Sequence, residues 1–504
     1  MYRSVFIRKV IFLAAAFVCC SAYAQFPMGG GFGGGMPMNG FGEGMPMGGF
    51  GGMMGGVTSY NPAQDRNKVD FTSSNLPVIH IDTDGKPVTS NEKIPASMKV
   101  SDGCYDGGIR IKLRGNSSLS FEQKCFTFKT DTSAAILGMP AGKDWVLRAP
   151  YNDISMMRDA FAFNMWTEMG HWAPRYRFCE VVMNGTYIGV YTLCEKIERA
   201  GNRIDIAKLK PEDKDITGGY IIRIDPLEAG EKGFQSEVPG IMSGGFGGGF
   251  GGFRGGISRV TWNVYYPDEQ KLTDEQLKYI SDYVNTVEKV IQSDGFSDPV
   301  NGYARLIDVE SFVDYLIHTE LSLNADGLKR STYFYKDKGG KLVAGSVWDY
   351  NLAYGNCNFC NANKIDAWVY EGGETNPTPA MWKRLMEDPA FVAKVKARWK
   401  QLRGDVLSLD HIYKFIDDNA KLLQEPQKRQ YSKYTDLLVK EQRQQNQGFG
   451  GFGGFPGMGG FGGFGGGDAI GMFAAYRVSS YEEEITILKK WLADRIAFLD
   501  RNWK

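Results

Sequence analysis

Alternating apolar and polar residues recur through the first half of the chain, and this alternation is typical of strands that are buried on one face. Two β-branched runs also flank Asn184-Gly185, which is the strongest short signal for a β-hairpin. The predicted strands are LPVIHID at 76–82, IRIKLRG at 109–115, KCFTFK at 124–129, the hairpin at 179–193, YIIRID at 220–225 and SRVTWNVYYP at 258–267.

The second half has a different pattern, in which apolar residues recur at intervals of three and four and predict helices. Thr273 and Gln276 have the spacing of a capping box at the start of one helix. The predicted helices are 156–169 (capped by Asp153 or Ser155), 273–291, 311–323, 382–402, 411–423 and 485–503. Strands followed by helices indicate an α+β fold in two lobes.

Glycine numbers 64, and most of the excess lies in three tracts of Gly, Phe and Met. These tracts are Met28–Gly56, Gly244–Gly256 and Gly448–Gly467, and their composition predicts disordered, flexible segments. The predicted organisation is a signal peptide at 1–24, a Gly/Met/Phe-rich disordered segment at 25–66 and a folded domain at 67–504. Its sheet-rich N-lobe covers about 67–266 with an insertion at 243–256, and its helical C-lobe covers about 267–504 with an insertion at 447–467.

The N-terminus has the pattern of a secretory signal. Basic residues precede the apolar run Val10–Cys20, and Ala22-Tyr23-Ala24 has the small residues of a cleavage site. An uncleaved membrane anchor is the alternative, but this run is shorter than the roughly 20 residues that span a bilayer. We therefore expect cleavage near Ala24-Gln25 and a secreted, periplasmic or cell-surface protein without a transmembrane helix.

Charge excludes one class of partner. Lys+Arg and Asp+Glu both number 58, so the formal net charge is zero. Proteins that bind nucleic acid through bulk electrostatics carry an excess of positive charge. We expect no nucleic-acid partner.

Two aspartates are the strongest candidates for chemistry. Asp326 follows a predicted helix, Asp349 follows the apolar run LVAGSVW, and a strand hairpin is predicted between them. In phosphoryl transfer, one carboxylate orients or deprotonates the acceptor and another holds the metal that bridges the phosphates. The alternative is that both residues only form turns or caps. The spacing alone does not decide between these interpretations.

At the level of whole motifs, the chain resembles the spore coat protein H (CotH) kinase family of secreted bacterial proteins from about Leu76 to the C-terminus. The resembling segments are IRIKLRGNSS at 109–118, KCFTFK at 124–129, NDISMMRDAFAF at 152–163, VVMNGTYIGVYTLCEKI at 181–197, NADG at 324–327, VWDYNLAYG at 347–355, WKRLMEDPAF at 382–391 and the C-terminal YEEEITILKKWLADRIAFLD.

The resemblance implies a protein-kinase-like fold that binds ATP with Mg²⁺ or Mn²⁺ between its lobes. It gives Asp326 the catalytic role and Asp349 the metal-holding role. The other implied contacts are Arg114, Gly115 and Asn116 over the phosphates, Lys124 or Lys129 reaching them from a strand, and Glu195 near the adenine.

The chain departs from the kinase pattern at one position. Kinases supply a second metal ligand, an asparagine, a few residues after the catalytic aspartate. Here Ser331 and Thr332 stand at that position, and Asn351 is the candidate replacement.

Three functions follow from these patterns. The first is an exported atypical kinase that phosphorylates a secreted or surface protein. The second is a non-catalytic surface or matrix protein on a kinase-like scaffold, in which the Gly/Phe/Met tracts self-associate. The third is a glycoside hydrolase that uses Asp326 and Asp349 as its two carboxyl groups.

Overall fold

A computed structural model describes residues 58–65, 67–242, 258–358, 360–373, 376–438 and 475–504. The predicted signal peptide and the three Gly-rich tracts lie outside these residues. Strands and helices are both present, which confirms the α+β class.

Most strands come from the first half of the chain, as their alternating pattern predicts. They are β1 (Ser59–Tyr60), β2 (Val78–Asp82), β3 (Val88–Thr89), β4 (Ile94–Val100), β5 (Asp106–Arg114), β6 (Cys125–Ala134), β7 (Gly142–Arg148), β8 (Tyr176–Met183), β9 (Thr186–Glu195), β10 (Tyr220–Ile224), β11 (Gly233–Pro239), β12 (Arg259–Tyr266), β13 (Thr332–Lys336) and β14 (Leu342–Ala344).

Seven of the strands form a closed barrel, in which they follow the order β2-β4-β5-β6-β7-β9-β8. The hairpin of β8 and β9 turns at Asn184 and Gly185, whose φ angles of 50° and 74° are those of a two-residue hairpin turn. Parallel pairing of β2 with β8 closes the barrel. Alternate side chains of β5, such as Ile109, Ile111 and Leu113, are buried in its interior. The sequence predicted these strands but not their closure into a barrel.

A second sheet has the order β11-β12-β10-β13-β14. Its strands β10 to β12 precede the predicted boundary at 266/267, whereas β13 and β14 follow it by more than sixty residues. Antiparallel pairing of β10 with β13 places Ile224 opposite Thr332. Strands from both sides of residue 267 are therefore neighbours in one sheet.

Five of the eight helices follow β14 in the chain, and α2 and α3 contact the second sheet at β11 and β14. They are α1 (Arg158–Glu168), α2 (Asp274–Gln292), α3 (Val309–Ser322), α4 (Met381–Leu385), α5 (Pro389–Arg403), α6 (Leu409–Leu423), α7 (Pro426–Lys433) and α8 (Tyr481–Trp503). The capping box of Thr273 and Gln276 at the start of α2 is confirmed.

Three details of the element prediction were wrong. The helix predicted from residue 156 begins at Arg158, and its N-cap residue is Met157, not Asp153 or Ser155. The single helix predicted at 382–402 is two helices, because Pro389 cannot continue α4 and Asp388 caps α5 instead by accepting from the amide N–H of Ala390 at 2.9 Å. The run LVAGSVW is a strand only at Leu342–Ala344, and the residues that lead to Asp349 are irregular.

Buried ion pairs join the helices into one layer. Arg158, at the start of α1, donates to Asp153 and to Glu484 of α8, at 2.5 Å and 2.7 Å. Arg495 of α8 donates to Glu320 of α3 at 3.1 Å, and both side chains are fully buried. Buried pairs of this kind fix the relative position of the elements that they join, because a broken pair leaves an uncompensated charge.

Among the helices of the described residues, none combines the length and the apolar character that crossing a membrane requires.

Candidate functional site

Asp326 lies in a tight turn directly after α3. The helix ends at Ser322, and the next residue, Leu323, has a left-handed φ of 43° that turns the chain away from the helix axis. The Asp326 carbonyl then accepts hydrogen bonds from the amides of Lys329 and Arg330, at 3.2 Å and 2.9 Å. This turn holds the backbone of Asp326 in place beside the second sheet.

Asp349 lies after β14 and has a φ of 69°. The side chain of Asn324 donates to its main-chain carbonyl at 3.3 Å, which ties the Asp326 turn to the Asp349 loop. Arg148, at the end of β7, donates from Nη2 to Asp349 Oδ1 at 2.7 Å. The Asp349 side chain remains 39% exposed, so the carboxylate is still accessible to a ligand.

The two aspartates have pKa values that are shifted in opposite directions. For Asp349, burial raises the pKa, but the charge and hydrogen bond of Arg148, with help from Arg114 and Arg330, outweigh burial and lower it below the ordinary value. For Asp326, burial raises the pKa, and the charge of Asp349 raises it further. Carboxyl groups whose environments separate their pKa values in this way can divide acid–base and charge-holding roles between them.

Asp225 is a third carboxylate of the site, and no sequence pattern had indicated it. It follows β10 directly, and the pairing of Ile224 with Thr332 places it beside the end of the loop that carries Asp326. Its carboxylate is 3.5 Å from Arg330 Nε and is only 14% exposed. Burial raises the pKa of Asp225 to about 6, and the charges of Asp349 and Asp326 contribute to the increase.

Arg148 was also missed, because the strand that it ends was not predicted. It connects three parts of the site. Its Nε donates to Asp159 of α1 at 2.8 Å, its Nη2 donates to Asp349, and its guanidinium lies 4.8 Å from the centre of the Trp348 ring. The available sequence signal was the short apolar run Trp145-Val146-Leu147 before Arg148, which is buried throughout.

The first residues predicted to contact the phosphates lie at the end of β5. Arg114 lies over the Trp348 ring, with its guanidinium carbon 5.0 Å from the ring centre. Gly115 has a φ of 111°, and a Cβ added there would overlap Ser118 Oγ, so this turn requires glycine. Asn116 is exposed. Of the predicted phosphate contacts, Arg114 is therefore the one that lies against the Asp349 loop.

The other predicted nucleotide contacts have partners elsewhere. Lys124 donates to the carbonyls of Leu119 and Phe121, and burial lowers its pKa. Lys129 is half exposed and lies 3.6 Å from Asp144. Glu195 is buried and accepts two hydrogen bonds from the guanidinium of Arg175, at 2.7 Å and 2.8 Å, and a third from its main-chain N–H at 3.0 Å. These three sets of contacts are separate from those that surround Asp326 and Asp349.

Asn351, the predicted second metal ligand, lies two residues beyond Asp349. Its side-chain amide donates to Asn152 Oδ1 at 2.9 Å, and its carbonyl accepts from Asn356. A cavity of about 10 Å³, which is roughly the size of one water, lies between Asn351, Arg148 and Asp159. A more open groove of about 380 Å³ lies on the barrel near His80 and Asn184, and none of the predicted site residues lines it.

The carboxylates of Asp349 and Asp326 are suitable ligands for one kind of metal ion. Within the described part of the chain, no three His, Cys, Asp or Glu side chains form a group that could hold a metal by themselves. Mg²⁺ bound with a nucleotide needs no such cage, because one or two carboxylates and the phosphates supply its ligands. The ionised, partly exposed carboxylate of Asp349 and the nearby Asp326 fit that arrangement.

Comparison with known proteins identifies the family. The model of the family described as CotH kinase protein matches residues 111–499, which is well over half of the chain. The chain therefore belongs to the CotH kinase family, as the motifs of the sequence indicated.

One curated relative is the inner spore coat protein H of Bacillus subtilis (strain 168). It is 23% identical over 270 residues, which cover 54% of this chain and 65% of the relative. The match thus spans slightly less than two thirds of the relative's length.

Proposed function

We propose that this chain is an exported, metal-dependent atypical protein kinase, which transfers a phosphoryl group from ATP to a secreted or surface protein. The observation that carries the proposal is the pair formed by Asp326 and Asp349. The two residues lie on loops joined through Asn324, and their pKa values are shifted in opposite directions. Membership of the CotH kinase family supports the same reaction.

In this proposal Asp349 is the metal-holding carboxylate. Its lowered pKa keeps it ionised at neutral pH, and its exposed surface leaves room for a ligand beside the Arg148 contact. Asn351 would add an amide oxygen from the same loop. Bound Mg²⁺ or Mn²⁺ would bridge the phosphates of ATP and reduce their negative charge.

Asp326 would accept the proton of the acceptor hydroxyl. A carboxylate with a raised pKa is a stronger base than an ordinary aspartate, so proton transfer to it is more favourable at neutral pH. The hydrogen bonds from Lys329 and Arg330 to its main-chain carbonyl fix the position of this turn. Asp225 would hold Arg330 close to the turn through their ion pair.

The barrel and the helical layer correspond, in this proposal, to the N-lobe and C-lobe of a protein-kinase-like fold. The cavity near Arg148 has the volume of about one water, which is far too small for a nucleotide. ATP would therefore bind after the walls around Asp349 move apart. Closure over a bound substrate is common in kinases and excludes water from the reaction.

The charges around the two aspartates favour phosphoryl transfer over glycoside hydrolysis. Arg148, Arg114 and Arg330 all act on the pKa of Asp349. Arginine recognises phosphate oxygens with paired hydrogen bonds, whereas a neutral sugar gains little from three guanidinium groups. The Gly/Phe/Met tracts, outside the described residues, would serve self-association at the surface.

The test is transfer of labelled phosphate from ATP, with Mn²⁺ or Mg²⁺, to casein or to the chain itself. Asp326→Ala and Asp349→Ala are compared with the wild type, and Asp294→Ala is the matched control because Asp294 is an exposed aspartate in the loop after α2. We expect label with the wild type and the control only. Equal label in all four proteins, or in none, would refute the proposal.

A further inference from the structure

Two cysteines lie close together in the sequence beyond Asp349. They are Cys357 and Cys360, in the sequence Cys-Asn-Phe-Cys, and this spacing is typical either of a metal site or of a redox pair. A structural zinc site needs four ligands. Within the described ranges, no third His, Cys, Asp or Glu side chain joins the two cysteines in a group that could hold a metal. The spacing therefore indicates thiol chemistry.

The fold brings both cysteines into one small apolar cluster. Its five side chains are Ala325, Leu352, Cys357, Cys360 and Ala362. Cys360 and Asn361 have consecutive left-handed φ angles of 52° and 57°, so the chain turns sharply there. Two cysteines that share one cluster across so short a segment need little backbone movement to form a disulfide.

The two thiols differ in their access to solvent. Cys357 is completely buried (0% exposed), whereas Cys360 is partly exposed. Thiol–disulfide exchange begins when a thiolate attacks an external disulfide, so the more accessible sulfur reacts first. A second thiol inside the protein then completes the exchange. Cys360 thus has the position of the attacking thiol, and Cys357 has that of the resolving thiol.

The same cluster contacts both candidate loops. Ala325 directly precedes Asp326, and Leu352 lies three residues beyond Asp349. Protein interiors have low compressibility and transmit small displacements to neighbouring side chains. A covalent bond between the two cysteines would therefore restrain the backbone of both loops.

We propose that Cys357 and Cys360 form a thiol–disulfide exchange site, whose oxidation restrains the loops of Asp326 and Asp349. The Cys360 thiolate attacks one sulfur of a disulfide R–S–S–R, forms a mixed disulfide and releases R–S⁻, which takes up the proton lost by Cys360. The Cys357 thiolate then attacks Cys360 Sγ, closes the bond between the two cysteines and releases the second R–SH. The protein loses two electrons and two protons, and the external disulfide gains them.

The disulfide donor is a low-molecular-weight disulfide or the disulfide of a thioredoxin-like protein. Both kinds of donor act in oxidising compartments, which agrees with the exported location in the proposed function. The exchange itself requires neither nucleotide nor metal. It therefore goes beyond the proposed kinase reaction and can be tested separately from it.

The first experiment incubates the reduced full chain with glutathione disulfide or, in a separate reaction, with an oxidised thioredoxin-like protein. Alkylation of the remaining thiols and peptide mass analysis then identify the bond. We expect a peptide with Cys357 joined to Cys360, lighter by two hydrogen atoms, and the faster reaction identifies the donor. Cys104→Ser, at an exposed cysteine, is the control and should form the same bond. A wild type that keeps both thiols with both donors would overturn the proposal.

Single variants separate the two roles. In Cys357→Ala, the resolving thiol is missing, so we expect Cys360 to accumulate the mixed disulfide with glutathione. In Cys360→Ser, the buried Cys357 should remain a thiol under the same conditions. The reverse pattern, or equal modification of the remaining cysteine in both variants, would overturn the assigned roles.

Hydrogen exchange measures the restraint on the loops. The amide N–H of Gly327 donates to the carbonyl of Asn324 at 2.9 Å. The amide N–H of Tyr354 donates to the carbonyl of Ser322 at 2.7 Å. We expect oxidation of the wild type to slow exchange at these amides roughly threefold or more, and the donor to have no such effect on Cys360→Ser. Equal exchange in the oxidised and reduced wild type would refute the restraint, whether or not the chain transfers phosphate.

Discussion

The side-chain amide of Asn324 donates a hydrogen bond to the main-chain carbonyl of Asp349 at 3.3 Å. The Oδ1 atom of Asn324 also accepts from the amide N–H of Asp326, again at 3.3 Å. One buried side chain thus connects the two candidate loops, which are separated in the chain by the β13–β14 hairpin. The relative position of the two carboxylates depends on this asparagine.

Asn324→Ala is expected to reduce phosphoryl transfer at least about tenfold, because a small displacement of reacting groups has a large effect on rate. Loss of the two hydrogen bonds should also reduce the free energy of unfolding by about 1–3 kcal/mol. Transfer rates and urea unfolding measure the two effects. Asn301→Ala, at an exposed turn position, is the matched control and should change neither. Full activity in Asn324→Ala would contradict the assigned geometry.

Arg330→Gln is expected to shift the pH dependence of transfer. The Arg330 charge opposes the increase in the pKa of Asp326, so its removal raises that pKa further. A general base acts when deprotonated, and activity is lost as the pH falls through its pKa. The acidic limb of the pH–rate profile should therefore move to higher pH in Arg330→Gln. An unchanged limb, or a shift to lower pH, would exclude Asp326 as the base.

Glu288→Gln is expected to stabilise the protein at alkaline pH. Glu288 of α2 is buried, its Oε1 accepts from Ser236, and burial raises its pKa to about 7. Because the folded pKa exceeds the ordinary value of 4.5, the folded state holds the extra proton between these values, and stability falls as the pH rises through that window.

The difference between Glu288→Gln and the wild type should therefore be small near pH 4.5 and grow to roughly 2–4 kcal/mol above pH 7. Urea unfolding at several pH values measures it. Glu275→Gln, an exposed position at the start of the same helix, is the control. A constant difference across this range would show that Glu288 does not titrate as the burial requires.

Arg495→Ala is expected to destabilise the helical layer by about 3–5 kcal/mol, because it leaves the Glu320 charge buried without a counter-ion. Glu320 also accepts from the amides of Val369 and Tyr370, so the segment beyond the Asp349 loop should loosen as well. The double variant Glu320→Gln with Arg495→Met should recover part of the loss. A decrease below about 1 kcal/mol in Arg495→Ala would contradict this assignment.

The sequence predicted those turns and helix ends that are determined by residues close together in the chain. The hairpin at Asn184-Gly185 and the capping box at Thr273 are of this kind, since a turn type and a helix cap depend on neighbouring residues. Asp388 and Pro389 carried an equally local signal for a helix break, which the periodicity of the surrounding apolar residues concealed.

The arrangement of the strands and the surroundings of the two aspartates depend on contacts between distant parts of the chain. Arg148 and Asp349 are 201 residues apart in sequence, and Asp225 approaches Asp326 only through the pairing of β10 with β13. Barrel closure likewise depends on the parallel pairing of β2 with β8. Alternation shows which face of a strand is buried, but it does not show which strands are neighbours. The sequence therefore made Asp326, Asp349 and Arg114 candidates, but it did not indicate Arg148 and Asp225, which contact or approach them in the fold.

The most direct test of the central claim compares Asp326→Asn with Asp349→Asn in two assays, Mn²⁺-dependent ATP binding by calorimetry and transfer of labelled phosphate. We predict that Asp326→Asn binds Mn²⁺ and ATP about as tightly as the wild type but transfers no phosphate. Asp349→Asn should lose both metal-dependent binding and transfer. Transfer at the wild-type rate by either variant would contradict the roles assigned to the two aspartates.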